Sequence, residues 1–218
     1  MELLIVEHQA DAPAGLVGEW AAERGGHMHV VRVHAGDPWP EPKTVGRAVV
    51  LGSDRSVHLD PPGWLGDELD WLRGLDAAGA PVLGLCFGGQ ALATALGGSV
   101  RRAERPEIGW VDVQGELAGA WFAWHFDTFS APPGARELGR TAAALQGFAS
   151  GPHIGLQFHP EVTPAIVDGW VSTGRGDLDA ERLDGEAIRA RSTQEAERVR
   201  AAAFALFDSW VASDRIAA

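Results

Sequence analysis

Gly84-Leu85-Cys86-Phe87-Gly88-Gly89-Gln90 decides the fold of this chain. The apolar run before the cysteine, residues 81–85, reads as a buried β-strand. The small-residue run after it, residues 91–96, reads as a helix. Strand, sharp turn and helix put Cys86 at the apex of a nucleophile elbow, with sulfur in place of a serine oxygen. Glycines on both sides suit such a turn, because the apex backbone is strained and its neighbours are crowded. A helix starting near Gly88 brings its positive end to Cys86 and favours a thiolate. The N–H of Phe87 then points to where an oxyanion forms. The glycine frame argues against the bland alternative, a buried inert thiol.

Working outward, short aliphatic runs at residues 3–6, 29–33 and 48–51 read as further buried strands. They alternate with helical stretches at 15–24 (Leu16, Trp20 and Ala21 inward) and 64–78, where Leu65, Leu69, Leu72 and Leu75 recur at three- and four-residue spacing. Strands separated by helices imply parallel pairing in a doubly wound α/β sheet flanked by helices. After Gly97-Gly98 the pattern changes. Residues 108–114, 120–124, 136–141 and 148–150 read as partly alternating strands without helices between them, a small antiparallel β extension. Residues 153–158 return to the main sheet, 163–172 form a helix with Pro164 in its first turn, the polar stretch 174–184 reads as a loop, and 193–211 is a helix with Val199, Ala203, Leu206 and Trp210 on one stripe. With no repeat or linker in view, residues 1–218 are expected to form a single domain.

The second informative stretch is Gly155-Leu156-Gln157-Phe158-His159-Pro160-Glu161. Proline fixes its own φ and biases the preceding residue to extended backbone, where residues two apart point the same way. His159 and Glu161 thus face one cleft, the carboxylate orienting one imidazole nitrogen and the other nitrogen facing sulfur. Alone, such a tripeptide is an ordinary solvated loop. Behind a core strand, with an elbow cysteine upstream, it completes a nucleophile, base and orienter.

Composition excludes several classes. With 30 acidic and 18 basic side chains the net charge is −12, which argues against nucleic-acid binding. The one cysteine excludes an intramolecular disulfide and any multi-cysteine metal site, and the other histidines lack metal-ligand spacing, so neither metal nor cofactor is expected. The acidic N-terminus does not read as a signal peptide, and no apolar run approaches a bilayer's thickness. The expected location is the cytoplasm, with no membrane partner.

Together the two motifs resemble class I (triad-type) glutamine amidotransferases, especially those similar to the glutaminase part of GMP synthase, over nearly the whole chain. The resemblance implies a flavodoxin-like α/β fold and hydrolysis of the glutamine side-chain amide through a γ-glutamyl thioester, with ammonia released for a separate acceptor subunit. It implies Cys86 as nucleophile, His159 as base then acid, Glu161 as its orienter and Gln90 as a glutamine-holding residue. Phe87 supplies one oxyanion N–H, and the loop Leu51-Gly52-Ser53-Asp54 is expected to supply the second from Gly52 or Ser53. Relatives usually carry two glycines and a proline in this loop. Ser53 and Asp54 depart from that, which puts the orientation of the donor in question. A second departure is Phe126 between His125 and Asp127, where a glycine is common in a loop near the substrate amino acid. His125 and Asp127 are retained as substrate-binding candidates, Asp127 as a partner for an α-ammonium or as a solvated turn residue. The aromatic cluster Trp121, Phe122, Trp124, Phe126 and Phe129 reads as packing or as a wall over the site. These departures keep two alternatives open, hydrolysis of another γ-glutamyl peptide or conjugate and a weakly active regulatory or binding subunit.

Overall fold

The computed structural model describes residues 1–213. Its strands join one nine-stranded sheet ordered β2-β1-β3-β4-β9-β8-β7-β5-β6. The parallel half comprises β2 (His27–Arg32), β1 (Glu2–Glu7), β3 (Ala48–Val50), β4 (Val82–Leu85) and β9 (His153–Leu156). The antiparallel half continues through β8 (Leu145–Ser150), β7 (Arg136–Arg140), β5 (Val100–Gly115) and β6 (Gly119–Phe129).

Strand alternation sorts the side chains into two layers. Leu3, Ile5, Val49, Leu83 and Leu85 face one side, where they pack with Leu16, Val17 and Trp20 of α1 (Gly15–Glu23) and with Val199, Ala203, Phe207 and Trp210 of α6 (Gly185–Ser213). Val6, Ala48, Val50 and Val82 face the other side, against Leu65, Leu72 and Leu75 of α2 (Leu65–Ala78) and Phe87, Ala91 and Leu92 of α3 (Phe87–Ala95). A smaller cluster joins Phe122 to Val167 and Val171 of α4 (Pro164–Thr173) and to Leu178 of α5 (Arg175–Glu181). Thr163 caps α4 by accepting from the N–H of Ile166, ahead of Pro164.

The expected doubly wound sheet with an antiparallel extension is present, and three details differ. The stretch 174–184, read as a loop, contains α5, because Leu178 inserts under α4 and is buried. The last helix starts at Gly185 rather than near 193, capped by Asp184, whose Oδ1 accepts from the N–H groups of Glu186 and Ala187. The strands expected at 108–114 and 120–124 are the middle of a longer hairpin, so His125 and Asp127 lie on β6 and not in a loop.

Close approach sets where α3 lies. A Cβ on Gly88 would meet the Val50 carbonyl oxygen at 2.1 Å, and one on Gly89 the Leu156 carbonyl oxygen at 2.4 Å. The first turn of α3 therefore rests directly on β3 and β9. Gly88→Ala is expected to destabilise the protein by at least about 3 kcal/mol, since backbone must shift to admit the methyl group. Gly169→Ala, in α4 with open space around its Cα, is expected to stabilise by about 0.5–1 kcal/mol. Urea unfolding midpoints check both.

Candidate active site

Cys86 is the N-cap of α3, with φ 50° and ψ −108°. Among the described residues it shares a positive φ outside glycine only with Arg182. Such a conformation costs on the order of 1–3 kcal/mol and persists only where the surroundings enforce it. Here the Cys86 N–H donates to the Leu156 carbonyl at 2.8 Å, its carbonyl accepts from the Gln90 N–H at 2.9 Å, and the Gly88 N–H donates to the Leu51 carbonyl at 3.2 Å. The side chain is buried yet on the wall of a cleft of about 360 Å³. Its Sγ lies 3.8 Å from the Trp124 carbonyl and 3.7 Å from Nε2 of Gln157.

His159 follows β9, and its N–H donates to the Phe122 carbonyl at 2.8 Å. Nδ1 donates to Oε1 of Glu161 at 2.6 Å. The ring stands edge-on to Trp170 with centroids 4.8 Å apart. Glu161 is held in turn by α1, since its carbonyl accepts from the Leu16 N–H at 2.8 Å. Its second carboxylate oxygen, Oε2, is buried without a hydrogen-bond partner. Burial alone would lower the basicity of His159. The charges of Glu161 and Cys86, and hydrogen bonds to both, outweigh it and raise the pKa from 6.5 to about 10. The site thus stores a proton on the imidazole between a carboxylate and a sulfur.

The other expected site residues converge here. Gly52, Ser53, Phe87, Gln90, His125 and Asp127 all line the cleft. A Cβ on Gly52 would lie 3.0 Å from Cε1 of His159 and 3.7 Å from Cβ of Cys86, which explains the glycine by space. Ser53 is absent from the positive-φ residues, so serine fits the loop without strain. Nε2 of Gln90 donates to the Asp127 carbonyl and to Oε1 of Gln157, both at 3.3 Å. His125 uses Nδ1 on the Asp127 carbonyl at 3.0 Å and Nε2 on Glu107 at 3.1 Å.

Asp127 is neither a solvated turn residue nor free. It is 5% exposed, and its carboxylate accepts from the Ser56 hydroxyl at 2.5 Å and from Arg102 at 3.4 Å. The aromatic cluster divides. Trp121, Phe122 and Phe129 are core, while Trp124 and Phe126 form cleft wall. Phe126 carries the Arg102 guanidinium 4.7 Å above its ring.

Sequence reasoning missed Ser56, Arg102, Gln157, Trp170 and Asp177. Asp177 reaches the cleft because α5 exists, and Trp124 Nε1 donates to it at 3.2 Å. Gln157 lies inside the second motif, and that position was the available signal for it. Among the described residues no group of three His, Cys, Asp or Glu side chains is placed to hold a metal ion.

The family model "Glutamine amidotransferase class-I" matches residues 52–169, and the chain belongs to that family. It is 36% identical to the GMP synthase [glutamine-hydrolyzing] of Aeropyrum pernix over 114 residues, 43% of this chain and 22% of that protein. To a GMP synthase [glutamine-hydrolyzing] that is named as one subunit of its enzyme, from Sulfolobus acidocaldarius, it is 34% identical over 129 residues, 53% of this chain and 67% of that one. The glutamine amido transferase structure from Methylobacillus flagellatus superposes with a TM-score of 0.90 at 26% identity, covering 97% of this chain and 94% of that one.

Two outcomes are expected. Cys86→Gly should be more stable than Cys86→Ala by about 1–2 kcal/mol, the reverse of the usual order, because glycine accepts a positive φ; chemical denaturation measures the difference. The His159 imidazole, followed by nitrogen-detected NMR, should hold its proton through neutral pH and lose it near pH 10. Its stabilising pairing is then complete below 6.5 and lost as pH rises through about 10. Glu161→Gln should move that midpoint down.

Proposed function

We propose that this chain hydrolyses the side-chain amide of glutamine through a γ-glutamyl thioester on Cys86. The observation that carries the reading is the Cys86–His159–Glu161 arrangement, an imidazole hydrogen-bonded to a buried carboxylate and set beside sulfur at a strained helix N-cap. The thiolate attacks the amide carbon. The oxyanion is received by the N–H groups of Phe87 and of the Gly52-Ser53 loop. His159 passes its proton to the departing nitrogen, and ammonia leaves. His159 then takes a proton from water as the water attacks the thioester, and collapse releases glutamate and restores the thiolate beside a protonated His159. Glu161 keeps Nδ1 protonated and the ring in place throughout. Gln90, His125 and Asp127 form the substrate-facing wall. His125 acts there through the Asp127 backbone, and Asp127 presents a carboxylate edge shared with Ser56 and Arg102.

Ammonia passes to a separate acceptor in this proposal, which fits those relatives whose names make them single subunits of GMP synthase. The net charge of −12 fits a protein without a nucleic-acid partner. Among the described residues no helix is long and apolar enough to cross a membrane.

A second reading, hydrolysis of a larger γ-glutamyl amide, is favoured by the extent of the cleft. It runs from the triad past Arg55 and Arg102 to Thr173 and Asp177.

The test measures ammonia and glutamate from glutamine alone, beside release from γ-glutamyl conjugates. Turnover of glutamine sustains the first reading, and turnover of conjugates alone selects the second. Inertness towards both, in a protein whose thiol alkylates normally, removes both. Cys86→Ser should abolish turnover with the fold intact. Glu161→Gln should cost about 10- to 10⁴-fold in kcat, and an unchanged rate would demote Glu161 to a loop residue.

A further inference from the structure

One buried pair of titratable side chains has no part in the chemistry above. His8, just past β1, and Glu68 in α2 have fully buried side chains. His8 Nε2 donates to the Glu68 carboxylate at 3.1 and 3.2 Å, and Nδ1 donates to the Gly52 carbonyl at 3.2 Å. Both ring nitrogens face acceptors, a pattern that the imidazolium satisfies. Burial opposes that charge, but Glu68 and the backbone carbonyls of Gly52 and Leu51 raise the His8 pKa above its ordinary value. The ring stacks on Trp64 and meets Phe87 edge-on, in each case with centroids 5.0 Å apart.

The next residue, Gln9, holds the same loop one peptide further on. Its Oε1 accepts from the Asp54 N–H at 2.6 Å. The chain is therefore tied on both sides of Ser53. The Gly52–Ser53 peptide is trans, so its N–H points opposite to its carbonyl. The carbonyl points back to His8, which is not part of the cleft wall. The Ser53 N–H is thereby turned away from His8, and Gly52, Ser53, Cys86 and Phe87 line the cleft.

We infer that His8, hydrogen-bonded to Glu68, and Gln9 are positioning residues that aim the Ser53 N–H at the oxyanion, an inference that rests on the amide-hydrolysis reading above. They supply by hydrogen bonding the orientation that a serine and an aspartate do not supply by backbone geometry.

The test replaces His8 by Phe together with Glu68→Gln, so that no bare carboxylate stays buried. A companion carries His8→Asn with Glu68→Gln, whose amide nitrogen stands where Nδ1 stood. Gln9→Leu changes a half-buried side chain and carries the least folding risk. The readouts are kcat, KM and the rate of Cys86 alkylation by iodoacetamide, a displacement that forms no oxyanion.

In the Phe variant kcat should fall about 10- to 100-fold, below the loss for deleting an oxyanion donor outright, with KM and alkylation within about threefold. The Asn variant should recover most of the loss, and Gln9→Leu should show a smaller loss of the same kind. An unchanged kcat, alkylation falling in step with kcat, or no recovery with Asn overturns the inference. Should the Phe variant fail to fold, Gln9→Leu decides by the same readouts. Should wild type hydrolyse no γ-glutamyl amide, the functional reading fails by itself. Amide hydrogen exchange then decides the positioning claim. Faster exchange at Ser53 and Asp54 in the variants sustains it, and unchanged exchange overturns it.

Discussion

The backbone of Cys86 is bent against its own preference, and the bend is held from three directions. β9 takes its N–H, Leu51 just past β3 takes the N–H of Gly88, and the glycine pair at 88 and 89 lets α3 rest on the Val50 and Leu156 carbonyls without intervening side chains. A residue at φ 50° would relax if any of these supports loosened. The direction of the Cys86 side chain is therefore a property of the parallel sheet. In such a sheet the carboxyl ends of the strands share one edge, where the chain leaves the ladder and its groups are unspent. Gly52 follows β3, Cys86 follows β4, His159 follows β9, and His8 follows β1. Four crossings of the sheet deliver the chemistry to one rim.

At that rim two buried imidazoles each stand on a buried carboxylate. His159 stands on Glu161, and His8 on Glu68. Removing one member of such a pair leaves an uncompensated charge in a poor solvent, which typically costs about 3–5 kcal/mol. The His159 pair is not fully satisfied, because Oε2 of Glu161 has no partner. A buried carboxylate with an unused oxygen costs on the order of 1–3 kcal/mol. The raised pKa of His159 follows from the charges of Glu161 and Cys86 and from hydrogen bonds to both, which outweigh its burial.

How much of this was legible before the structure depends on range. The elbow was readable because strand, glycine frame and helix are adjacent in sequence and each obeys a local rule. The His159–Glu161 contact was readable because a proline fixes the geometry over three residues. His8 and Glu68 were not, because 60 residues separate them and neither carries a motif; their pairing appears only once β1 and α2 are docked. α5 was hidden by polar composition, and a single buried leucine, Leu178, holds it. The solvated-turn alternative for Asp127 does not hold, because the hairpin extends beyond its alternating middle, past the register shift between Arg102 and Glu107.

The two departures from the usual family pattern follow one logic. Ser53 and Asp54 replace residues that shape a loop through their own backbone preferences, and the loop is shaped here from outside by the side chains of His8 and Gln9. Phe126 replaces a small residue beside Asp127, and its ring becomes the platform for Arg102, which in turn meets the Asp127 carboxylate. Ser56 closes the circuit, donating to Asp127 from the same loop that contains Ser53. The loop of residues 52–56 and β6 are joined across the cleft by the Ser56–Asp127 hydrogen bond. A glycine-rich loop would leave the cleft free to adapt. This one is braced by contacts among Ser56, Arg102, Phe126 and Asp127.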